Sequence, residues 1–285
     1  MTVPAVSVVV PAHNEAGVLG RTLRALLDGA APGELDVVVV ANACTDGTAD
    51  VARAFGVRVV ETAEPGKANA LVLGDRACTG FPRLYLDADV ELGVASVRLL
   101  AASAAAGALA AAPVPRYDMA GASRLVAGFH RVFEHLMRDR RGLSGTGAYL
   151  LSEAGHARVF PMPRVIADDG YVHRSFTEGE AGAVPGARSL VRPPRTVVAT
   201  VRRRARVRRG NAELDRLGHR ATARPIGLSE VVTAVRSGAV RVGDAGCYLA
   251  VLVAERALLL WRKVRGTDSS WSVDSTSRST PSAAI

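Results

Sequence analysis

Over the first 115 positions, short β-branched runs alternate with longer stretches whose apolar residues recur at helical spacing. The runs predict strands at residues 6–11, 36–41, 57–61, 83–86 and 109–114. Between them the spacing predicts helices near 15–27, 48–55, 67–77 and 94–106, the last so rich in alanine that helix is its default state. Strand and helix in alternation predict an α/β fold with a doubly wound sheet joined by right-handed crossovers. After Pro115 the regularity fades: a helix is expected over 123–138, and a glycine-rich turn followed by a strand over 144–151. Residues 245–261 are strongly apolar but are interrupted by Glu255 and Arg256 and lie at the short end for a membrane span. They read as a packed helix or as one lying in a membrane interface. The Ser- and Thr-rich residues 267–285 read as a flexible tail.

At 285 residues and 48% hydrophobic content, the chain can fill one large α/β domain or two small ones. The first apolar run is short, has no basic leader and passes into Pro11-Ala12-His13-Asn14-Glu15, which fits a first strand and not a secretory signal. Cys44, Cys78 and Cys247 are far apart, match no zinc spacing and leave one over in any disulfide scheme. A cytoplasmic setting is expected, with peripheral attachment to the inner membrane face as a variant of it. The net charge of +9 is concentrated, because positions 188–224 carry twelve arginines against only Glu213 and Asp215. Such a stretch predicts a basic surface facing phosphates, an acidic carrier protein or anionic lipid. A chain with two lysines, Lys67 and Lys263, also simply prefers arginine.

The densest chemistry follows the fourth predicted strand, in Tyr85-Leu86-Asp87-Ala88-Asp89. Extended backbone sends residues i and i+2 to one side, so Asp87 and Asp89 address one ligand while Ala88 faces away. A hard divalent cation bridged to a diphosphate suits that pair, and the end of a strand in an open α/β sheet is where such ligands bind. A solvated turn would show the same three residues.

Five segments, in this order, resemble the family 2 glycosyltransferases, inverting enzymes with a GT-A fold that move a sugar from a nucleotide donor. The similarity covers roughly residues 6–211. It implies a Rossmann-like mixed sheet flanked by helices, with residues 1–115 as the nucleotide-sugar half and 116–211 as the acceptor half. A helical region over 212–266 and the tail follow. The first segment is Val8 to Glu15, whose Pro11, Ala12, Asn14 and Glu15 the resemblance places around the base and ribose. A helix start with Asn14 as cap and Glu15 in the first turn accounts for the same residues. In the second, Asn42 replaces the usual aspartate; an amide can still pair with a uracil edge. The Asp46-Gly47-Thr48 that follows reads as a turn and helix cap. The third is Gly66-Lys67-Ala68, similar to a phosphate-binding element without being a Walker loop. The fourth is Asp87-Ala88-Asp89, where the resemblance implies that Asp87 holds the nucleotide and Asp89 the metal, Mg²⁺ or Mn²⁺.

The fifth, Asp168-Asp169-Gly170, resembles the acidic pair whose second carboxylate deprotonates the acceptor. Adjacent carboxylates repel, which raises one pKa and suits a general base. An exposed helix start capped by Asp168 is the structural alternative. Arg203 to Gly210 stands where many relatives carry Gln-Arg-Xaa-Arg-Trp before a glycine. Arg204 and Arg206 match, and arginines there would neutralise the leaving diphosphate. Arg203 replaces the glutamine, and Val207 replaces the tryptophan that touches the acceptor in polymer-making relatives, which argues against processive synthesis; with no multi-span membrane region expected, single transfer is the reading. Arg202, Arg208 and Arg209 read as a solvated basic face. Gly145, Thr146 and Gly147 resemble the acceptor-side segment, where missing side chains let a sugar approach the backbone.

These segments together predict metal-dependent, one-step transfer of a sugar, from a UDP-sugar such as UDP-GlcNAc or UDP-glucose, to a small, carrier-bound or lipid-linked acceptor. Two rivals share parts of the pattern. A sugar nucleotidyltransferase would open with a glycine-rich, arginine-containing loop in place of Pro11 to Glu15. A silent nucleic-acid-binding module would use the arginines, but no aromatic residue lies between Phe176 and Tyr248, and no nucleic acid is expected.

Overall fold

Strands β1 (Val6–Ala12), β2 (Leu35–Asn42) and β4 (Arg83–Leu86) are buried on both faces, as strands covered by helices on either side must be. The computed structural model describes residues 6–140, 142–177, 179–220 and 226–265; the tail expected over 267–285 lies outside them. With β3 (Arg58–Thr62), β5 (Glu91–Leu92), β6 (Ala110–Tyr117), β7 (Ala148–Leu151) and β8 (Ala181–Val191), the strands form one eight-stranded mixed sheet. Its order is β3-β2-β1-β4-β7-β6-β8-β5. The first four run parallel, and β7 enters antiparallel between β4 and β6.

All five predicted strands are present within three residues of their expected ends. The fifth does not continue the parallel series, because β7 takes the place beside β4, with Tyr149 opposite Tyr85. The chain leaves β1 toward β2 and β3, then returns through α3 (Lys67–Ala77) to β4 on the other side. That reversal opens a crevice at the carboxyl ends of β1 and β4.

Period-two alternation divides the apolar residues between two layers. Val8 and Val10 join Leu19, Leu23 and Leu26 of α1 (Ala16–Leu27) on one face, with Val97 and Leu100 of α4 (Val94–Ala105). Val9, Val38 and Val40 meet Leu71 of α3 and Tyr171 and Val172 of α7 (Asp168–Arg174) on the other. Gly74 brings α3 close to this face: a Cβ there would run into Val9 Cγ1 and stand 2.9 Å from Val40 Cγ2.

A third core joins α5 (Arg124–Met137), α8 (Val197–Arg216), α9 (Leu228–Arg236) and α10 (Val242–Arg265) through Phe129, Val132, Val201, Val231, Tyr248 and Val251. Among the described residues, the C-terminal helices thus share their interior with the preceding segment. The apolar stretch at 245–261 packs as part of α10, and no described helix is long and apolar enough to cross a membrane. Its Glu255, 1% exposed, accepts from Arg204 Nε at 2.7 Å and from Arg208 Nε. Arg208 is exposed, as expected of a basic face, but its guanidinium is tied to a buried carboxylate.

Because the α3–sheet contact has no room for a methyl group, Gly74→Ala is expected to cost about 1–3 kcal/mol of stability. A urea unfolding curve with a lowered midpoint and unchanged slope checks this.

Candidate active site

The loops after β1 and β2 are tied to each other. Asn14 Oδ1 accepts from the Thr45 amide at 2.8 Å, the Glu15 amide donates to Thr48 Oγ1 at 2.8 Å, and the Ala16 amide donates to Asp46 Oδ2 at 3.1 Å. The first turn of α1 is capped from thirty residues away, and Asn14 does not cap its own helix. Asp46-Gly47-Thr48 turns the chain into α2 (Thr48–Ala54) as expected, with Asp46 Oδ1 accepting from the Thr48 amide at 3.1 Å. Burial opposes charge on Asp46, but hydrogen bonds from Thr48 and Ala16 prevail and hold its pKa below the usual value. Asn14 and Ala43 take left-handed φ values of 52° and 48°, conformations that only a constrained loop holds for residues other than glycine. Pro11 and Ala12 end β1 beside Asn42, which is 2% exposed. The Asn42 side-chain oxygen, at the carboxyl end of β2, is buried without a hydrogen-bond partner.

At the end of β4 the Val90 amide donates to Asp87 O at 3.1 Å and closes a turn. Ala88 is buried, while Asp87 and Asp89 are half-buried, the separation that alternation predicts. Lys67, the first residue of α3, reaches across with Nζ 2.7 Å from Asp87 Oδ1 and 3.0 Å from Asp168 Oδ2. Burial alone would lower the Lys67 pKa; the carboxylates of Asp168, Asp87 and Asp169 outweigh it and push it up.

Asp168 is 5% exposed and caps nothing, so it is no exposed helix start. Burial, with the charges of Asp169 and Asp87, pushes its pKa up to about 6 against the pull of Lys67. The residue expected to act as base is its neighbour, Asp169. Asp169 is aimed by two amides: Oδ2 accepts from Gly145 N at 2.8 Å and Oδ1 from Gly170 N at 2.8 Å.

Of the three acceptor-side residues, only Gly145 borders open space, with nothing within 4 Å of where its Cβ would be. Thr146 is buried, its hydroxyl 3.0 Å from Leu143 O and 2.6 Å from Ala148 O, so it secures the turn. Gly147 lacks a side chain because Val90 occupies that position.

The two matched arginines part company on α8. Arg206, an exposed residue, lies within electrostatic reach of Asp87, Asp168 and Asp169, and local desolvation with the neighbouring Arg203 lowers its pKa. Gly210, one turn on, stands where a Cβ would lie 2.7 Å from Ala167 Cβ, which seats α8 against the Asp168 loop. Arg204 points to the other side, to Glu255, and lies 5.2 Å from the Phe129 ring centroid. The expected basic surface over 188–224 is partly consumed inside the chain as well, since Arg192 pairs with Glu91 and Asp118.

Two site neighbours carry no sequence signal. The Tyr149 hydroxyl is buried without a hydrogen-bond partner; burial, then the charge of Asp168, raises its pKa. In the sequence it reads as an ordinary core position of a strand. Arg21 Nε lies 3.6 Å from Glu91 Oε1 and within the field of Asp89, yet along the chain it is one arginine on an amphipathic helix.

With this geometry in place, the model of glycosyl transferase family 2 matches residues 7–150, from β1 through β7. The chain belongs to glycosyl transferase family 2. The match includes Asn42, Lys67, Asp87, Asp89 and Gly145 and ends before Asp168 and Asp169. A curated relative, 4,4'-diaponeurosporenoate glycosyltransferase of Staphylococcus aureus, is 35% identical over 93 residues, 30% of this chain and 24% of that protein. The chain thus matches about a quarter of that relative's length. Among solved structures, the mannosyltransferase PcManGT from Pyrobaculum calidifontis, in complex with GDP-Man and Mn²⁺, is similar with a TM-score of 0.61 at 20% identity. That alignment covers 93% of this chain and 81% of the other. Mannosyl-3-phosphoglycerate synthase from Rubrobacter xylanophilus gives a TM-score of 0.54 at 19% identity, covering 78% of each chain. At these identities the likeness shows the family's GT-A fold.

The Asp168 pKa sets a pH dependence. Between its ordinary value of 3.8 and about 6, the folded chain keeps a proton that the unfolded chain has released. Stability is therefore expected to fall as pH rises through that window, by up to about 3 kcal/mol. Urea midpoints at the two ends of the window should show the slope in the native chain and a flatter one in Asp168→Asn.

Proposed function

We propose that the chain transfers a single sugar from a nucleotide-sugar, a UDP-sugar such as UDP-GlcNAc or UDP-glucose, to a hydroxyl or amine, with inversion at the anomeric carbon. The observation that carries this reading is the meeting, at the β1/β4 crevice, of a lysine-bridged carboxylate pair with Asp169, a carboxylate aimed by the Gly145 amide. Asp169 takes the acceptor proton as the acceptor oxygen or nitrogen forms its bond to the anomeric carbon. The bond from that carbon to the diphosphate oxygen breaks in the same step, and the nucleoside diphosphate leaves with the electron pair. A single displacement leaves no covalent sugar on the chain.

Asn42 is suited to the base: its unused side-chain oxygen matches the N3–H of uracil. Lys67 bridges the carboxylates and Arg206 lies within their field, and the two offset the charge that grows on the departing diphosphate. Among the described residues no group of three or more His, Cys, Asp or Glu is arranged to hold a metal. A site with Asp89 as its one carboxylate suits a hard cation that shares its shell with diphosphate oxygens and water. Asp89 would hold Mg²⁺ or Mn²⁺, which when bound neutralises the diphosphate. Residues 1–115 serve the donor and 116–211 the acceptor in this reading. The nucleic-acid alternative loses support because Arg192 and Arg204 turn inward and Arg208, though exposed, is held by Glu255.

Calorimetric titration with UDP, GDP and dTDP, with Mn²⁺ and with the metal chelated, tests the donor site. Metal-dependent binding of UDP, lost in Asp89→Ala, is expected; no nucleotide binding, or binding indifferent to Asp89, would sink the proposal. Asp169→Asn is expected to bind UDP as the native chain does while turnover of the donor falls by about 10²–10⁴. Equal loss of binding and turnover in that variant would remove Asp169 as the base.

A further inference from the structure

Helix α10 has two unlike sides. Its inner side, with Tyr248, Val251 and Glu255, is buried against α5 and α8. Its outer side carries Leu249, Val253, Leu260 and Val264, spaced by four, seven and four so that they form one stripe. Leu249 is partly covered at 37% exposure, whereas Val253 and Leu260 are each 66% exposed and Val264 is 86% exposed. Trp261, half-exposed, stands at the edge of the stripe with the Arg265 guanidinium 4.6 Å from its ring centroid. Arg256 and Lys263 flank the stripe on its other edge, both exposed. The helix has two acidic residues, Asp244 and Glu255; both are buried, the first paired with Arg131 and the second with Arg204 and Arg208. Every exposed charge on α10 is therefore positive.

An aliphatic stripe, an edge tryptophan and flanking cations without exposed acids are the elements of a helix that lies in the headgroup region of an anionic bilayer. A protein partner would have to bury cations on both margins of an aliphatic strip, whereas lipid phosphates meet them without desolvating the chain. We propose that the outer face of α10 docks the protein on a membrane surface rich in anionic lipid. The lipid contact expected from the sequence for the 188–224 arginines is thereby placed on a different helix. The proposal does not rest on the transfer reaction, since docking is read without any sugar substrate.

The test uses the full chain with Trp271→Phe, which leaves Trp261 as the sole tryptophan. Sedimentation with phosphatidylcholine vesicles, with and without phosphatidylglycerol, is expected to show binding only to the anionic vesicles. That binding should weaken at high salt and bring a blue shift of Trp261 emission. Leu260→Glu with Val264→Glu should abolish it, and replacing Arg256, Lys263 or Arg265 by Gln should weaken it about fivefold each. Far-ultraviolet circular dichroism and an unchanged urea midpoint show that these surface variants stay folded. Absence of vesicle binding overturns the proposal, as does binding indifferent to the double Glu variant. So does light scattering that shows a dimer which the same variant makes monomeric, because the face would then be covered by a second copy. Binding that appears only after removal of residues 266–285 assigns the face to the chain's own C-terminus and overturns it equally.

Discussion

One ammonium group makes the crevice possible. Asp87, Asp168 and Asp169 come together where the β4 end, α7 and the turn before β7 meet, and three such charges in a partly desolvated space would drive those segments apart. Lys67 bridges two of them and acts on the third, so the first residue of α3 fixes segments from three distant parts of the chain. The close seat of α3 at Gly74 is what delivers the lysine there, and packing in the sheet layer thus decides the electrostatics of the site.

The same balance explains why the two members of the acidic pair differ. Asp168 points inward to Lys67 and keeps a raised affinity for its proton, while Asp169 points to the backbone amides of Gly145 and Gly170. One carboxylate belongs to the scaffold of charges, and the other is left facing the open side. A single residue step at the start of α7 is sufficient to separate these roles.

Much of this was legible in the sequence where local period governs position. The strand and helix alternation, the out-in-out disposition of Asp87, Ala88 and Asp89, and the placement of Lys67 at a helix start all follow from backbone repeat alone. What was not legible depends on contacts between distant elements. Arg204 and Arg206 match the same motif, but only the packing of α10 shows that Glu255 claims the first. Glu255 itself reads as an interruption of an apolar run until its partners are visible. Thr146 and Gly147 look like ligand contacts because small and polar residues serve tight turns and open sites alike; the burial of the Thr146 hydroxyl separates the cases. The antiparallel entry of β7 is a choice of strand partner, which periodicity does not encode.

The borrowed caps of α1 bear on how the loop after β1 comes into being. A twelve-residue helix is marginal in isolation, and its leading amides here find their acceptors on Thr48 and Asp46, beyond β2. A nascent β1–α1 segment lacks those acceptors, so the loop acquires its shape only once β2 has docked alongside β1. The end of the crevice at the loops after β1 and β2 is therefore a product of sheet assembly, cooperative with the core and not separable from it as a local motif.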